Sequence, residues 1–233
     1  MLILSLDTTT RGGSVAVVRD GHVVYLGRGD ATRTHGERLP ADLMTACDQA
    51  GVTIGEVELF AVAAGPGSFT GLRIGIATMQ GLAMARGRRI VPVSALEAVA
   101  ASSAPDARER RHSRTVAWID AQRGEVFSQV FEGMDPISPA IAASPLSAIE
   151  MQRGLIAEAE FHGDGAVRYR DQILAALGPG ARIGGEVVPL AGAIGQIAAR
   201  QPDRAVRPHA VVPIYVRRPD AEIARTRQAR PSA

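Results

Sequence analysis

Residues 65–75 read GPGSFTGLRIG, a glycine-rich stretch that lies between two regular elements. Residues 59–64 before it are a short apolar run, which predicts a buried strand. Ser68 is a favourable N-cap, and the apolar spacing that follows predicts a helix running to about residue 86. A strand, a glycine-rich turn and a helix in this order are typical of α/β proteins.

The glycine-rich loop supports two interpretations. The free N–H groups and the positive dipole end at the start of the helix would suit an anion such as phosphate. Alternatively, Gly65 and Gly67 allow a tight turn, while Gly71 and Gly75 let another helix approach closely. The spacing fits neither G-x-G-x-x-G, because Gly71 falls one position late, nor the G-x-S-x-G nucleophile elbow.

Upstream of the loop the pattern predicts three strands and a helix. The strands cover residues 2–6, 14–19 and 22–27. The Asp20-Gly21 pair between the last two is a strong hairpin signal. A helix is expected from Thr34, because Glu37 stands at capping-box spacing, and Pro40 should either kink this helix or mark a later start.

Downstream, a strand and a helix complete a first lobe, which we assign to residues 1–107. The element order β-β-β-α-β-α-β describes a mixed sheet with helices on its faces. A charged, proline-containing segment over residues 102–114 breaks the apolar pattern, and we assign a second lobe to residues 108–233. Its expected strands are residues 115–119, 125–131, 159–163 and 211–216, and its expected helices begin at Ser144 and cover residues 167–177 and 190–200. We expect the last segment to pack back on the first lobe.

The composition excludes several classes of enzyme. Every one of the 26 basic residues is an arginine, so a Walker A loop, a pyridoxal Schiff base and a kinase strand lysine are all excluded. The histidines form no i, i+4 pair that would hold a metal on a helix. The single cysteine, Cys47, agrees with a reducing compartment, and no apolar run approaches the ~18 residues of a membrane span. We therefore expect a cytoplasmic protein with no membrane association.

Two aspartates end predicted strands in equivalent positions of the two lobes. Asp7 and Asp120 are each followed by a short turn into another strand. A phosphate-transferring fold would place a magnesium ligand or a water-orienting base at such a point. An aspartate in this position is also a common turn former, and both interpretations stand.

Six stretches of the chain together carry a resemblance to a known family. They are ILSLDTTT from residue 3, SVAVV from 14, GPGSFTGLRIGIATMQGLA from 65, PVSAL from 92, WIDAQRGEVF from 118 and PIYVR from 213. These stretches resemble the bacterial TsaB (YeaZ) family of tRNA threonylcarbamoyladenosine biosynthesis proteins, paralogues of the catalytic subunit TsaD. The resemblance implies a two-lobed α/β fold of the actin-like, sugar-kinase and Hsp70 ATPase class, with a mixed sheet flanked by helices in each lobe.

The resemblance also implies a function. The family joins TsaD and the ATPase TsaE to form N6-threonylcarbamoyladenosine at position 37 of tRNAs that read codons beginning with A, and it supplies a non-catalytic dimerisation or scaffold subunit. The catalytic relative carries a metal-binding H-x-x-x-H motif, and Ala95 and Val99 stand where its histidines would be. Neither side chain can coordinate a metal. We therefore expect no catalytic residue, no metal and no cofactor in this chain. An autonomous ATPase or sugar kinase of the same fold is the first alternative, and a protease, as in older family labels, is the second.

Two sets of site residues follow from the resemblance. A vestigial nucleotide site, inherited as shape, would comprise Asp7, Thr8, Gly65, Gly67, Ser68 and Asp120. A partner interface would combine the first helix, through Leu39 and Leu43, with the second helix, through Phe69, Gly71, Leu72, Gly75, Ile76 and Met79. These helices would meet the same pair from a TsaD-type subunit in a bundle, or a second copy when the chain is alone. The other interpretation is that the apolar stripe is entirely internal core.

The sequence after residue 216 is rich in arginine. Arg217, Arg218, Arg225, Arg227 and Arg230 face few acidic neighbours in this stretch. They would suit a basic arm that contacts tRNA phosphates within the complex. A solvated or partner-packed end is the alternative.

Overall fold

The computed structural model describes residues 1–103, 114–185 and 188–217. Within them the strands form two mixed sheets. The expected lobe boundary between residues 107 and 108 and the arginines from Arg218 onward lie outside the described residues. Among the described helices, none combines the length and the apolar content that a bilayer crossing requires.

The first sheet is built from the predicted strands around the glycine-rich loop. It comprises β1 (Leu2–Asp7), β2 (Ser14–Arg19), β3 (His22–Arg28), β4 (Leu59–Gly65) and β5 (Ile90–Ser94), in the spatial order β3-β2-β1-β4-β5. β1 pairs antiparallel with β2 and parallel with β4. The hairpin between β2 and β3 is confirmed, because Asp20 and Gly21 adopt φ of 50° and 80°, as a two-residue hairpin turn requires.

Three helices accompany this sheet: α1 (His35–Gln49), α2 (Phe69–Ala85) and α3 (Ala95–Ser103). A 3₁₀ turn at Ile54–Glu56 precedes β4. α1 starts as predicted, where the Glu37 carboxylate accepts hydrogen bonds from the Thr34 N–H at 2.9 Å and the Thr34 hydroxyl at 2.7 Å. Pro40 lies inside α1, so it does not mark a later start.

The second sheet repeats the plan of the first. It comprises β6 (Arg114–Asp120), β7 (Val126–Glu132), β8 (Asp135–Pro136), β9 (Ile141–Ala143), β10 (Glu160–His162) and β11 (Arg182–Ile183), in the order β11-β10-β6-β7-β8 with β9 beside β7. β6 pairs antiparallel with β7 and parallel with β10, as β1 pairs with β2 and β4. The helices are α4 (Pro145–Gln152), α5 (Asp164–Arg168) and α6 (Arg170–Leu177).

In the second half one predicted helix is interrupted and one predicted strand is wrong. The single helix expected over residues 167–177 is divided into α5 and α6 at Tyr169, whose φ of −106° departs from helical geometry. Residues 211–216, all of which are described, form no strand. They follow 3₁₀ turns at Pro202–Arg204 and Pro208–Ala210, and Pro213 has no N–H to donate to a ladder.

One more helix, α7 (Leu190–Arg200), lies on the first sheet although it follows the second in sequence. The Ser5 hydroxyl on β1 donates to the Ala191 carbonyl at 2.7 Å, and the Ala191 N–H donates to the Ser14 hydroxyl at 3.0 Å. Gly195 permits this approach, since a Cβ there would lie 2.5 Å from Val18. α7 thereby connects the part of the chain that follows the second sheet to β1 and β2.

The described residues contain three hydrophobic clusters that explain how the lobes are joined. One lies between the first sheet and α1 and α2, and another between the second sheet and α4 to α6. The third combines residues of both sheets with α3 and α7, including Ile3, Val91, Ile119, Phe131 and Ile194. The two lobes therefore share a continuous apolar core, which matches the two-lobed α/β architecture that the resemblance implied.

Candidate functional site

The glycines of α2 are approached by the loop between β1 and β2. A Cβ on Gly71 would lie 2.2 Å from the Thr8 carbonyl oxygen, and a Cβ on Gly75 would lie 2.1 Å from the Thr8 hydroxyl oxygen. The Ser68 N–H donates to the Thr9 carbonyl at 2.9 Å and closes this contact. Thr8 of the chain's own loop therefore fills most of the space beside these glycines, and His35 at the start of α1 is the part of another helix that approaches, 3.0 Å from a Cβ on Gly71.

Asp7 organises the same loop. Its carboxylate accepts hydrogen bonds from the Thr9 N–H at 2.8 Å, the Thr9 hydroxyl at 2.5 Å and the Thr10 hydroxyl at 2.8 Å. The Asp7 side chain is buried. Both carboxylate oxygens are thus used within the loop, and the turn-forming interpretation accounts for this residue.

A buried arginine that the sequence analysis did not single out supports the loop from the other side. Arg38 on α1 contacts the Gly12 carbonyl, the Asp42 carboxylate and the His35 ring. Burial lowers the pKa of His35, and the Arg38 charge lowers it further. Arg38 ends the polar stretch RTHGER at residues 33–38. No local pattern therefore distinguishes it from a surface arginine.

In the second lobe Asp120 lies opposite a further carboxylate. The Asp120 N–H donates to Asp164 Oδ1 at 3.0 Å, while the Asp120 carboxylate accepts from the Gln122 N–H at 3.0 Å and lies 3.4 Å from Arg168. Burial raises the pKa of Asp164, and the neighbouring Asp120 and Asp7 carboxylates add to the increase. The sequence offered a signal for Asp164, because this aspartate lies just beyond β10, much as Asp7 and Asp120 lie at the ends of β1 and β6.

A cavity of about 600 Å³ opens between the lobes. Its walls come from residues 10–13 and Arg28 on one side, and from His162, Asp164 and Gly184 on the other. None of the residues expected to form a vestigial nucleotide site lies among the cavity walls, although all of them are described. Asp7, Thr8, Gly65, Gly67 and Ser68 pack beneath the start of α2 instead, and Asp120 belongs to the other lobe. The nucleotide assignment stays a prediction.

The acidic groups and the histidine of the cavity belong to the second lobe, whereas Arg11 and Arg28 line it from the first lobe. The His162 ring lies 3.4 Å from the Glu160 carboxylate. Burial lowers the pKa of His162, although Glu160 opposes this effect. Within the described parts of the chain, no group of three or more histidine, cysteine or acidic side chains is arranged to hold a metal ion.

The outer side of the glycine-rich loop is covered by the chain itself. The Ile214 N–H donates to the Ala64 carbonyl at 2.7 Å, and a Cβ on Gly65 would lie 2.6 Å from the Ile214 carbonyl oxygen. The glycine at position 65 also has a φ of 113°, which favours glycine. The tight-turn interpretation therefore explains Gly65.

The predicted interface residues are mostly internal. Leu39, Leu43, Gly71, Leu72, Gly75, Ile76 and Met79 are buried within the chain, and Phe69 is 41% exposed. The alternative that the apolar stripe is core therefore holds for these side chains, since α1 and α2 turn it towards the sheet. The assignment of a partner to this helix pair stays a prediction for the opposite sides of the helices.

Those opposite sides carry small and apolar residues. On α2 the exposed positions Arg73, Ala77, Gly81 and Met84 recur at intervals of three and four, so they form one stripe, which we call the α2 outer stripe. Met84 is 65% exposed, and a Cβ on Gly81 would meet no atom within 4 Å. On α1 Met44 is 53% exposed. The helix pair thus exposes two methionines and two small residues, beside charged positions such as Arg73 on α2 and Glu37 and Asp48 on α1.

Comparison with known proteins gives the family. Residues 29–155, more than half of the chain, match the family described as TsaD: tRNA N6-adenosine threonylcarbamoyltransferase. The chain is 35% identical over 131 residues to the tRNA threonylcarbamoyladenosine biosynthesis protein TsaB of Haemophilus influenzae, covering 56% of this chain and 54% of that protein. The chain belongs to this family, in its TsaB/YeaZ branch.

Further members of the TsaB/YeaZ branch agree. TsaB of Escherichia coli is 35% identical over 127 residues, covering 54% of this chain and 53% of that protein. YeaZ from Pseudomonas aeruginosa has a solved structure that matches with a TM-score of 0.72 and 27% identity, covering 92% of this chain and 99% of the solved one. The chain spans about half the length of these two curated TsaB relatives. The resemblance seen in the sequence motifs and the two-lobed fold are both confirmed.

Proposed function

We propose that this chain is the non-catalytic dimerisation subunit of a complex that forms N6-threonylcarbamoyladenosine at position 37 of tRNAs reading codons that begin with A. Its partners would be a TsaD-type catalytic subunit and a TsaE-type ATPase, and it would meet tRNA through the assembled complex. The observation that carries the proposal is the environment of α3, taken together with membership of the TsaB/YeaZ branch.

The positions that would hold a catalytic metal lie in apolar core. Ala95 is fully buried and Val99 is 3% exposed, and both belong to the cluster shared by the two lobes. Hydrocarbon side chains offer no donor atom to a metal. A histidine at Ala95 would have to displace packed neighbours, whereas Val99 also lines the cavity between the lobes. This environment supports a subunit that does not itself polarise the carbamoyl donor.

The partner surface that we propose is the outer side of α1 and α2. The α2 outer stripe has short side chains at Ala77 and Gly81, which let another helix approach, and Met44 and Met84 supply adaptable apolar contacts. A helix that is apolar on its outer side as well as on its core side gains by covering that side. We propose a TsaD-type subunit as the principal occupant and a second copy when the chain is alone.

The alternatives find less support in the described residues. An autonomous ATPase of this fold would use Asp7 for magnesium, but the Asp7 oxygens are occupied by threonine donors. The cavity between the lobes is the feature that would favour such an activity. A protease needs a nucleophile beside a base, yet His35 is held by Arg38 and His162 by Glu160.

Reconstitution of tRNA modification tests the proposal. We expect N6-threonylcarbamoyladenosine to form when TsaD-type and TsaE-type proteins are combined with this chain, unmodified tRNA, ATP and threonylcarbamoyl-adenylate as the donor, which releases AMP on transfer, and to be lost when this chain is omitted. We also expect this chain alone to transfer no threonylcarbamoyl group. Full modification in its absence, or modification by this chain alone, would refute the assigned role.

The interface is tested by a matched pair of glycine substitutions. Gly81→Arg puts a charge on the outer stripe at a site with open space, so the chain should fold normally while its affinity for the TsaD-type subunit falls about a hundredfold. Gly154→Arg places the same charge at an open, exposed position of the second lobe and should leave binding unchanged. Titration calorimetry measures both affinities, with thermal unfolding as the folding control. Equal affinities for the two variants would move the interface away from α2.

A further inference from the structure

The segment after α7 runs across both lobes. We call residues 205–217 the C-terminal strap. Near its start Val206 pairs with Ile90 of edge strand β5, through N–H to carbonyl bonds of 2.9 and 3.0 Å. The Pro208 carbonyl then accepts from the Gln80 side chain of α2 at 2.8 Å, and Val211 is buried. The strap therefore begins as an addition to the first lobe.

The middle of the strap lies against the start of α2. Besides the Ile214 bond to the Ala64 carbonyl, the Tyr215 ring lies 5.5 Å from the Phe69 ring. The Tyr215 hydroxyl accepts from Arg73 Nε at 3.2 Å, and the Arg73 guanidinium lies 3.9 Å from the centre of the Phe69 ring. Three side chains from α2 and the strap thus form one packed unit.

The end of the strap is bound to the second lobe. Arg217 donates to the Ala121 carbonyl at 2.7 Å and pairs with the Glu125 carboxylate at 2.7 Å, both in the turn between β6 and β7. The Arg217 guanidinium also lies 5.6 Å from the Phe127 ring. Because the Arg217 guanidinium is paired with Glu125 and the Ala121 carbonyl, the expectation that Arg217 belongs to a free basic arm is corrected. Its Nε is buried and has no partner in the described part of the chain, so the contact is incompletely satisfied.

We propose that the C-terminal strap is a latch between the lobes, by which we mean a segment whose attachments to the two lobes stabilise each other and add to the apolar core that joins them. The packing of Tyr215 with Phe69 and Arg73 attaches the strap to the first lobe, and Arg217 attaches it to the second. Only Tyr215 and Val216 lie between Ile214, which bonds to the first lobe, and Arg217, which bonds to the second. A displacement of Arg217 is therefore transmitted to Ile214, and the reverse. The proposal concerns the isolated chain and does not depend on the proposed partner.

Amide hydrogen exchange on the full chain tests the latch. Arg217→Ala removes the contact with the second lobe, and we expect exchange to accelerate about tenfold at three places together, because a charged hydrogen bond of this kind is lost. These places are the Ile214 amide, the start of α2 at Leu72, and the Ala121 turn. The control is Arg207→Ala, which changes an exposed arginine of the same strap and should leave all three rates unchanged.

The reciprocal variant separates a latch from two independent contacts. Tyr215→Ala disrupts only the attachment to the first lobe, and the latch requires faster exchange at the Ala121 turn as well. Faster exchange confined to the mutated side in both variants would overturn the proposal. If Arg217→Ala fails to fold, Glu125→Gln weakens the same ion pair from the second lobe at nearly constant size. Unchanged exchange at Ile214 in a folded Glu125→Gln protein would likewise overturn it.

Discussion

The loop that follows β1 and the loop that follows β6 stand at equivalent points of the two lobes, yet they are packed differently. In the first, Asp7 is buried beneath threonine donors, and Thr8 lies against the glycines of α2. In the second, Gln122 and Arg123 are exposed and adopt positive φ, and Gly124 meets no neighbour within 4 Å. The same topology thus carries one loop packed against a helix and one whose tip is exposed, while Arg217 contacts its two ends.

The helices differ in the same way. The first lobe carries α1 and α2, of 15 and 17 residues, whereas α4, α5 and α6 of the second lobe have 8, 5 and 8 residues. A longer helix offers a longer surface to a partner, at 1.5 Å per residue. The longer helices are consistent with the proposal that the partner surface lies on the first lobe. The comparison also indicates that small changes under α2 should affect the fold more than changes on its outer side.

The largest effect is expected where the first loop meets α2. Gly71→Ala would bring a Cβ to 2.2 Å from the Thr8 carbonyl oxygen, and a backbone atom cannot rotate away. We expect the free energy of unfolding to fall by about 3 kcal/mol from overpacking. Gly81→Ala on the same helix has open space and should stabilise the protein by up to about 1 kcal/mol. Urea unfolding of both variants makes the comparison, and equal stabilities would contradict the packing described.

The two glycines also show what the sequence could and could not predict. Strands, the hairpin at Asp20 and the start of α1 follow from local signals within a few residues, and the structure confirms them. The spacing of Gly71 and Gly75 correctly indicated a close approach on one face of α2. Spacing does not reveal which neighbour approaches, because the neighbour is set by tertiary packing. The expected helix approaches only through His35 of α1, and Thr8 of the chain's own loop fills most of the space.

The candidate site residues could likewise be predicted only where a local sequence signal marks them. Asp7 and Asp120 could be found because each ends a strand before a turn. Arg38 could not, since its burial depends on loops that are distant in sequence. The strand expected over residues 211–216 was wrong for a related reason. An apolar run of that length is compatible with a strand or with a strap, and Pro213 favours the strap by removing a donor.

A second, smaller effect is expected from buried hydroxyl groups in the two lobes. In the second lobe the Ser128 hydroxyl accepts from Trp118 Nε1 at 2.8 Å and donates to Gln152 Oε1 at 2.6 Å. Ser128→Ala leaves two buried polar atoms without this partner and should cost about 2 kcal/mol. In the first lobe Ser5→Ala removes one donor to the Ala191 carbonyl, which should cost about 1 kcal/mol. Thermal and urea unfolding measure the loss in the free energy of unfolding for both variants. A larger loss for Ser5→Ala than for Ser128→Ala would contradict the expected order.

The smallest effect is a change in the pH dependence of stability, and it arises at Asp164 in the second lobe. Because burial raises the pKa of Asp164, the folded chain binds this proton more tightly than the unfolded chain, whose pKa is near the usual 3.8. The folded state therefore holds more protons within the window that extends upward from pH 3.8, and the free energy of unfolding falls as the pH rises through that window. Asp164→Asn keeps an oxygen to accept the Asp120 N–H and cannot titrate. Its stability relative to the wild type should increase from pH 3.8 upward and then level off.

Urea unfolding at a series of pH values measures this slope for Asp164→Asn and for Asp203→Asn, which changes an exposed aspartate outside both sheets. The Asp203 variant makes the same chemical change at the surface and serves as the reference for it. The difference between the two variants then isolates the buried carboxylate from general acid effects on the chain. Parallel curves for Asp164→Asn and the wild type would show that burial does not raise the pKa of Asp164. The contrast between the two lobes would then be one of packing and not of electrostatics.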